Sequence, residues 1–413
     1  MRSGLAGLLV AFAVSAGVLQ AQAPAAVAEA QALLAEQPHA AEQAWRRLVA
    51  DGLPIVEPHP DRTGLARVTF AVKTRPDTGA VRLDSVIAAS RARQPVTDYR
   101  RDFTLPLTQI GNSGIWWLSL DVPRDVEAAY SFLVEREGQW RRQSDPENRR
   151  RLHGAAAEAV LRLDRAPDMA PVRPWPGRLA RQPEAIAIDS TALQRSVFLQ
   201  LYRAPDGGAD APLLILYDAF LWGVRAPAWE IAANLAIAGE IPPVHVVLID
   251  QLDPASAAEN YADQTRFLAD ELLPALHEHE LDPAPRNIIL AGASRRGLAV
   301  SRAALARPDA FGAVLSLSGS FYWSPDGEPP QWLAREVPPA EEHAPRFHLA
   351  AGSLEYVETS TNDGHVMLET NRRFAAALEA AGYEVELAVF PGGHDVAAWR
   401  YALADGLVAL LGE

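Results

Sequence analysis

Three side chains that could together cleave an ester lie shortly after strand-like stretches in the second half of the chain. Ser294 follows the apolar run NIILAG, Glu355 follows RFHLAAG, and His394 follows EVELAVF within the segment PGGHD. A serine hydroxyl is a weak nucleophile until a base takes its proton, and a carboxylate must hold the imidazole of that base in the right tautomer. The three residue types therefore predict an acyl-transfer site with a nucleophile, a base and an acid.

Ser294 is predicted to lie on a sharp turn between a buried strand and a helix. The residues from 288 to 291 form an apolar run, and apolar residues then recur at helical spacing as far as Arg307. Such a turn lifts the serine hydroxyl above the sheet, toward the helix N-terminus. The usual turn reads Gly-x-Ser-x-Gly, whereas Arg296 takes the last position here and Gly297 follows it. The alternative is that Ser294 only caps the helix.

The predicted base and the predicted acid each have rivals in the sequence. His394 is one of 10 histidines, but two glycines precede it in the loop after the last long strand. Asp395 is too close to His394 along the chain to orient it, and we expect it to tie down the loop. Glu355 shares its loop with Glu358 and Asp363, so all three remain candidates for the acid.

Strands and helices alternate after residue 184, which predicts the elements that position these groups. The strand-like runs include PLLILYDAF, VHVVLID, NIILAGA, AVLSLSGS, RFHLAAG and EVELAVF, and helical patterns separate them. Such alternation predicts an α/β fold, with a mostly parallel, doubly wound sheet and helices on both faces. Ligands of such sheets bind at the carboxyl ends of the strands. The chain order Ser, acid, His is that of the α/β-hydrolase fold.

The segment DAFLW follows another central strand. A loop at this place usually gives a backbone N–H to the oxyanion hole, a contribution worth roughly 10²–10³ in rate. We predict Phe220 as the donor and Trp222 as a neighbouring substrate-binding residue. The alternative is that both aromatic rings only pack at the rim.

Composition and charge exclude some functions. The chain has 413 residues, of which 49% are hydrophobic, so it is long enough for one large α/β domain and an additional one. The net charge of -14 argues against nucleic acid as a partner. The absence of cysteine fits an oxidising compartment without requiring one.

The N-terminus has the layout of a secretory signal peptide. Arg2 precedes an apolar run from Leu5 to Leu19, and the small residues of AQAPAAVAEA follow. Cleavage is expected between Ala21 and Ala28, and an uncleaved anchor is the alternative. Because no second long apolar segment follows, we expect a periplasmic or secreted protein with no stable membrane span after processing.

The first half of the mature chain is predicted to be rich in strands. ARVTFAVKT, VRLDSVIA, IWWLSLDVP and YSFLVERE alternate between apolar and polar residues and are separated by turn residues, which is typical of a small all-β sandwich. The predicted divisions are a signal peptide at 1–28, a helix or linker at 29–62, an Ig-like sandwich at 63–145, an ordered crossing segment at 146–185 and the catalytic domain at 186–413.

The chain resembles the enterochelin (enterobactin) esterase family. The resemblance rests on YDAFLWGVRAPAW, IPPVHVVLID, FLADELLPAL, GASRRGL, FGAVLSLSGSFYW and GGHDVAAWR, with DPEN as the crossing motif. It implies an α/β-hydrolase with an N-terminal Ig-like domain that hydrolyses the trilactone esters of catecholate siderophores. Residue by residue, it implies Ser294 as nucleophile, His394 as base and Glu355 as acid, with no metal or other cofactor.

This sequence departs from the family pattern at two places. Arg296 stands where a glycine is expected, and Asp218-Ala219 stands where Asp-Gly is expected. Two arginines in the first turn also oppose the helix dipole. One hypothesis is that Arg295, Arg296 and Arg400 face an anionic ferric catecholate. The alternative is that the side chains of Arg295 and Arg296 point to solvent.

The sequence favours an exported serine esterase acting on a small-molecule ester, and the family resemblance implies a siderophore. A carbohydrate or feruloyl esterase is a second interpretation, and an aromatic cluster would serve either substrate: Phe321, Tyr322, Trp323 and Trp332. A third is a siderophore-binding protein without catalysis, for which Arg296 in the turn is the reason.

Overall fold

The computed structural model of the protein describes residues 23–91, 103–152, 158–174, 182–250, 261–356 and 366–412. These residues form two antiparallel sheets in the first half of the chain and one eight-stranded sheet in the second half. The predicted signal peptide lies largely outside the described residues, as do two of the candidate acids, Glu358 and Asp363.

The two N-terminal sheets contain nine strands. The first sheet has the order β1-β2-β6-β5, and the second has the order β4-β3-β7-β8 with β9 paired to β7. The strands are β1 Ile55–Pro58, β2 Leu65–Lys73, β3 Ala80–Ser85, β4 Thr104–Pro106, β5 Thr108–Gln109, β6 Ile115–Pro123, β7 Glu127–Arg136, β8 Gln139–Gln143 and β9 Ala159–Arg162.

The third sheet has the order β10-β11-β13-β12-β14-β15-β16-β17 and confirms the predicted α/β class. Its strands from β13 to β17 in this order are parallel, and the hairpin of β10 and β11 is antiparallel at one edge. The strands are β10 Glu184–Ser190, β11 Arg195–Tyr202, β12 Leu213–Tyr217, β13 His245–Ile249, β14 Ile288–Ala293, β15 Ala313–Leu317, β16 Arg346–Gly352 and β17 Val385–Phe390.

Helices cover both faces of this sheet, which explains why its central strands β12 to β15 are buried without alternation. In β12, Leu214 and Leu216 pack into one core, whereas Leu213, Ile215 and Tyr217 pack into the other. The helices that follow β11 are a π-helix at Leu221–Arg225, Ala228–Ala238, Tyr261–Arg266 with a π segment at Phe267–Leu272, Leu273–Glu278, Arg295–Ala306, Trp332–Arg335, Met367–Ala381 and Val396–Leu411, besides a 3₁₀ turn at Pro285–Asn287.

The N-terminal elements differ from the prediction in their bounds. Where a helix or linker was expected at 29–62, the structure has two helices, Ala25–Glu36 and Ala41–Leu48, with Pro38 between them. The strand expected in VRLDSVIA ends at Ser85, whose Oγ accepts a hydrogen bond from the Ile87 N–H at 3.2 Å and caps the short helix Val86–Ala89.

The two N-terminal sheets also extend beyond residues 63–145. β1 precedes that range and β9 follows it, within the segment expected to cross between the domains. Leu152 and Val160 of that segment are buried. Among the described residues, every helix is too short or too polar to cross a membrane.

Candidate active site

Ser294 lies on the turn between β14 and the helix Arg295–Ala306, which we call the nucleophile helix. Its φ of 56° and ψ of -124° are unusual for a residue with a side chain, and strained serines of this kind occur at hydrolase nucleophiles. The turn is held by the Ser294 N–H, which donates to the Leu317 carbonyl at 2.8 Å. Its hydroxyl lies 3.3 Å from the hydroxyl of Ser320.

The glycines around this turn explain how Arg296 is accommodated. A Cβ on Gly292 would lie 2.8 Å from the Cβ of Arg296, and one on Gly297 would lie 2.5 Å from the Ser316 Oγ. Glycine is therefore required at 292 and 297, whereas position 296 accommodates the side chain of Arg296. The guanidinium of Arg296 lies 5.3 Å from the ring centre of Tyr217, and its Nη1 is 3.5 Å from the Gln264 Oε1.

His394 and Glu355 are in direct contact. The Nδ1 of His394 donates to the Glu355 Oε1 at 2.7 Å, so the Nε2 is the ring nitrogen left to act as the base. The other oxygen of Glu355 accepts from the Ser318 hydroxyl at 2.7 Å and from the Gly352 N–H at 2.6 Å. The carboxylate is buried and the imidazole is partly exposed, which suits an acid that orients a base facing substrate.

Asp395 has a structural role beside the base. Its Oδ1 accepts from the Ala397 N–H at 3.0 Å and caps the helix Val396–Leu411, while its Oδ2 accepts from the Ala129 N–H of β7 at 2.6 Å. Burial raises the pKa of this carboxyl, and the two N–H donors act in the opposite direction. The loop that carries His394 is thus fastened to the second N-terminal sheet.

Ser294, Glu355 and His394 line one cavity of about 540 Å³. Tyr322, Leu354 and Met367 line it from the same α/β part of the chain. The opposite wall comes from the N-terminal half: Asp84, Ser85, Val86, Ala89, Ser90, Phe103, Ala129, Tyr130, Ser131, Arg142 and Glu158. A cavity of this volume is typical of a small-molecule site.

Two backbone N–H groups, in the loops after β12 and β14, have no acceptor among the described residues, although neither residue lines the cavity. The N–H of Arg295 follows the nucleophile at the start of its helix, and no described residue accepts a hydrogen bond from it. The same holds for Phe220, whose ring is 58% exposed. The backbone of this loop is held by Asp218, whose Oδ1 accepts from the Leu221 N–H at 3.1 Å. Both donors stand at helix N-termini, where N–H groups lack intrahelical partners.

The comparisons with known proteins agree with this architecture. A family model described as "Putative esterase" matches residues 190–410. The iron(III) enterobactin esterase of Dickeya dadantii is 27% identical over 426 residues, which cover 92% of this chain and 95% of that protein. The iron(III) enterobactin esterase of Escherichia coli K12 is 30% identical over 346 residues, which cover 76% of this chain and 84% of that protein. The chain belongs to the enterobactin esterase family.

The same fold is found in a solved structure of that family. The enterobactin esterase of Shigella flexneri, crystallised in the presence of enterobactin, matches with a TM-score of 0.72 and 22% identity, and the match covers 89% of this chain and 97% of that one. As a member of the family, this protein is an ester-cleaving hydrolase.

Several residues of this family member that the sequence predicted to bind substrate do not line its cavity. Trp222 is completely buried in the core between the sheet and its helices, so it cannot contact a substrate. Arg400 is bound to the buried Glu127 and to the Ala397 carbonyl. Arg295 is exposed and Arg296 is turned toward Tyr217, and neither lines the cavity. The hypothesis of a three-arginine anion site is therefore wrong.

Only Tyr322 of the predicted aromatic cluster lines the cavity. Phe321 is buried against Phe374 at 4.0 Å between ring centres, and Trp323 and Trp332 pack around Tyr261. Their alternative role as ordinary packing is the one that the structure supports.

The sequence analysis missed Ser318 and the whole N-terminal wall. Ser318 lies in the motif LSLSGS at the end of β15, next to β14, so its position at the carboxyl edge of the sheet was the available signal. Nothing in the sequence indicated that β3, β7 and β8 face the catalytic residues. Among the described residues, no group of His, Asp and Glu side chains is arranged to hold a metal.

Proposed function

We propose that this enzyme is a serine esterase that hydrolyses the ester bonds of a catecholate siderophore. The contact of Nδ1 of His394 with Glu355, on the cavity that Ser294 lines, is the observation that carries the mechanism. Membership of a family whose relatives are named iron(III) enterobactin esterases supports the substrate class.

In the proposed mechanism, the Ser294 oxygen attacks the ester carbonyl carbon while the His394 Nε2 takes the hydroxyl proton. The N–H groups of Arg295 and Phe220 donate to the oxyanion. The carbonyl forms again as the alcohol leaves with the proton from His394, and an acyl group remains on Ser294. Water, activated by His394, then releases the acid and restores the enzyme.

The first test replaces Ser294 by alanine and measures hydrolysis of a dihydroxybenzoyl-serine ester. We expect kcat to fall by roughly 10⁶, since removal of a triad nucleophile has about this effect. Ser301→Ala is the matched control, because Ser301 lies on the nucleophile helix and its hydroxyl donates only to the Gly297 carbonyl at 2.8 Å. Full activity of Ser294→Ala would contradict the mechanism.

A fluorophosphonate probe tests the interpretation of a binding protein without catalysis. We expect the probe to label Ser294 of the folded wild-type protein and not of the Ser294→Ala variant. An unlabelled Ser294 in folded protein would favour the binding protein.

The acid is tested in the same labelling assay by Glu355→Gln, with Glu358→Gln as the control. Only Glu355→Gln should slow the labelling of Ser294.

We also propose that residues 1–28 direct export to the periplasm and that the two N-terminal sheets form a small all-β domain of Ig type. The charged, apolar and small-residue regions of the first 28 residues support export. The mass of the protein recovered from a periplasmic extract would test this, because retention of the N-terminal methionine would rule out cleavage.

A further inference from the structure

The face that the second N-terminal sheet turns toward the cavity is polar in one place. Along β7 the residues Ala128, Phe132 and Val134 pack into the N-terminal core, so alternate residues such as Ser131 lie on the opposite face. Ser131 pairs directly with Asp84 of β3, and Leu133 pairs with Arg142 of β8. Directly paired residues share a face, which brings Asp84, Ser131 and Arg142 together.

These three side chains are not equally satisfied. The Arg142 Nη2 donates to the Asp84 Oδ2 at 2.7 Å, and the Arg142 Nη1 lies 3.6 Å from the Glu158 Oε1. No described residue donates to the second oxygen of Asp84, the Oδ1. The side chain of Arg142 is 48% exposed, and its guanidinium has further N–H groups that can donate.

Ser131 carries the strongest sign of a missing partner. Its side chain is 0% exposed, and no described residue forms a hydrogen bond with its hydroxyl. Buried hydroxyls in native proteins nearly always have a partner, and the exceptions call for an explanation. Because Ser131 lines the same cavity as Ser294 and His394, a group of the substrate can supply that partner.

We propose that Asp84, Ser131 and Arg142 form a second subsite, the ring subsite, which binds the two adjacent hydroxyl groups of a dihydroxyphenyl ring of the substrate. The proposal rests on the proposed function and names the part of the enzyme that selects the acyl group. Asp84 accepts one hydroxyl proton, Ser131 bonds to the neighbouring oxygen, and Arg142 donates to either oxygen. Asp84 needs a donor, so the ring binds with its hydroxyl protons in place rather than as an iron chelate.

The charge around the ring subsite agrees with a neutral ring. Burial raises the pKa of the Asp84 carboxyl, although Arg142 acts in the opposite direction. Of the described residues that line the cavity, Asp84, Glu158, Glu355 and Asp395 carry carboxyl groups, and Arg142 provides a positive charge. A ring oxygen that keeps its proton avoids the repulsion that a catecholate anion would meet here.

The test compares the binding of two probes that carry no ester, so that it does not depend on catalysis. The probes are 2,3-dihydroxy-N-benzoyl-glycine and N-benzoyl-glycine, which have the same charge and differ by the two hydroxyls. Calorimetry on the full-length wild-type protein should give at least tenfold tighter binding of the dihydroxy probe, about the effect of one hydrogen bond to a charged group.

Ser131→Ala and Asp84→Asn should each reduce this ratio of dissociation constants by about tenfold. Ser119→Ala is the matched control, because Ser119 is also buried in a strand but bonds to Thr69 at 2.6 Å in the first sheet. Equal binding of the two probes by the wild-type protein would overturn the ring subsite, and so would equal changes in Ser131→Ala and Ser119→Ala. Failure of the proposed function would instead appear as absent hydrolysis with an intact probe ratio.

Discussion

Ser318 determines which oxygen of Glu355 faces His394. The indole Nε1 of Trp399 donates to the Ser318 Oγ at 2.9 Å, and an indole N–H can only donate. The Ser318 proton is therefore directed to the Glu355 Oε2, which leaves the Oε1 for His394. The Trp399 ring also packs edge-on against the His394 ring, with 4.8 Å between the ring centres. Three side chains, those of Ser318, Glu355 and Trp399, thus fix the imidazole.

Ser318→Ala should therefore lower kcat for ester hydrolysis by about tenfold, the effect of one hydrogen bond to a charged group, with little change in KM. Without this donor the Glu355 carboxylate is held less firmly, so the imidazole of His394 is less well oriented. A lower kcat at unchanged KM separates this outcome from a loss of stability, which would lower the melting temperature alone.

Ser316→Ala is the matched control for Ser318→Ala. Ser316 is also buried on β15, but its hydroxyl has no hydrogen-bond partner among the described residues. An equal loss of kcat in both variants would contradict the positioning role.

For single residues, the sequence could predict which residue types come together but not the direction in which each side chain points. Ser294, Glu355 and His394 each follow a parallel strand, and carboxyl ends of parallel strands share one edge of a sheet. The direction of Trp222 and Arg400 depends instead on the turn of a π-helix and on a partner, Glu127, that lies far away in the sequence. Those contacts follow from tertiary packing.

The turn between β14 and the nucleophile helix depends on the absence of a side chain at residue 292. We expect Gly292→Ala to destabilise the protein by about 1–3 kcal/mol, the usual cost of overpacking, and to slow fluorophosphonate labelling. The reason is that the new Cβ would lie 2.6 Å from the carbonyl carbon of Arg296. Gly64→Ala is the control, since its Cβ would meet nothing within 4 Å. A labelling rate equal to that of wild type would contradict this account.

Arg296→Gly restores the glycine of the family pattern and tests what the arginine does. Glycine inside a helix costs about 1 kcal/mol, and the contact with the Tyr217 ring is lost as well. We expect a lower free energy of unfolding in urea. Because Arg296 does not line the cavity, kcat/KM should stay within about twofold of wild type. A large gain of activity would show instead that Arg296 holds the turn in a poorly active form.

The sequence predicted the strands and helices themselves better than it predicted which strands pair. The parallel strands from β12 to β17 and the nucleophile helix follow from apolar runs and helical spacing. The pairing of β9 with β7 was not predictable, since its four residues follow an irregular stretch rich in arginine and give little periodic signal.

The two halves of the molecule are joined by a buried charged cluster. The carboxylate of Glu127 on β7 accepts hydrogen bonds from Arg162 of β9, from Arg400 and, at 2.8 Å, from the Tyr401 hydroxyl. Burial, partly opposed by Arg400, raises the pKa of Tyr401 to about 12. Arg400 and Tyr401 lie on the helix that Asp395 caps, so this cluster and Asp395 connect the same two elements.

Glu127→Gln should lower the free energy of unfolding by about 3–5 kcal/mol, since it leaves two partly buried arginines without their buried carboxylate. Denaturant titration followed by far-UV circular dichroism measures the change. Glu369→Gln is the control, because it removes only exposed i,i+3 and i,i+4 pairs with Arg372 and Arg373 on the surface of a helix. Similar losses in both variants would mean that the cluster adds nothing to stability.

The stability of the whole molecule should fall in mildly acidic solution. Burial lowers the pKa of His245 and of His348 from 6.5. The unfolded chain then binds more protons than the folded one, and the stabilisation present above pH 6.5 is lost as the pH falls through the folded pKa values. Each histidine contributes at most about 1.4 kcal/mol per pH unit.

The melting temperature between pH 7.5 and about 5.5, the range in which histidines titrate, measures this loss. We expect a smaller slope in His348→Gln than in wild type, whatever the stability of the variant at pH 7.5. His343→Gln should keep the wild-type slope, because His343 is exposed. Identical slopes in all three proteins would contradict the attribution of part of this loss to His348.

The wall that faces the catalytic residues is built by a different sheet from the one that carries them. Ser294, Glu355 and His394 follow β14, β16 and β17, whereas Asp84, Ser131 and Arg142 belong to β3, β7 and β8. With the roles proposed above, substitutions within the first 145 residues would change the acyl group that the enzyme accepts and would leave the groups that break the ester bond in place.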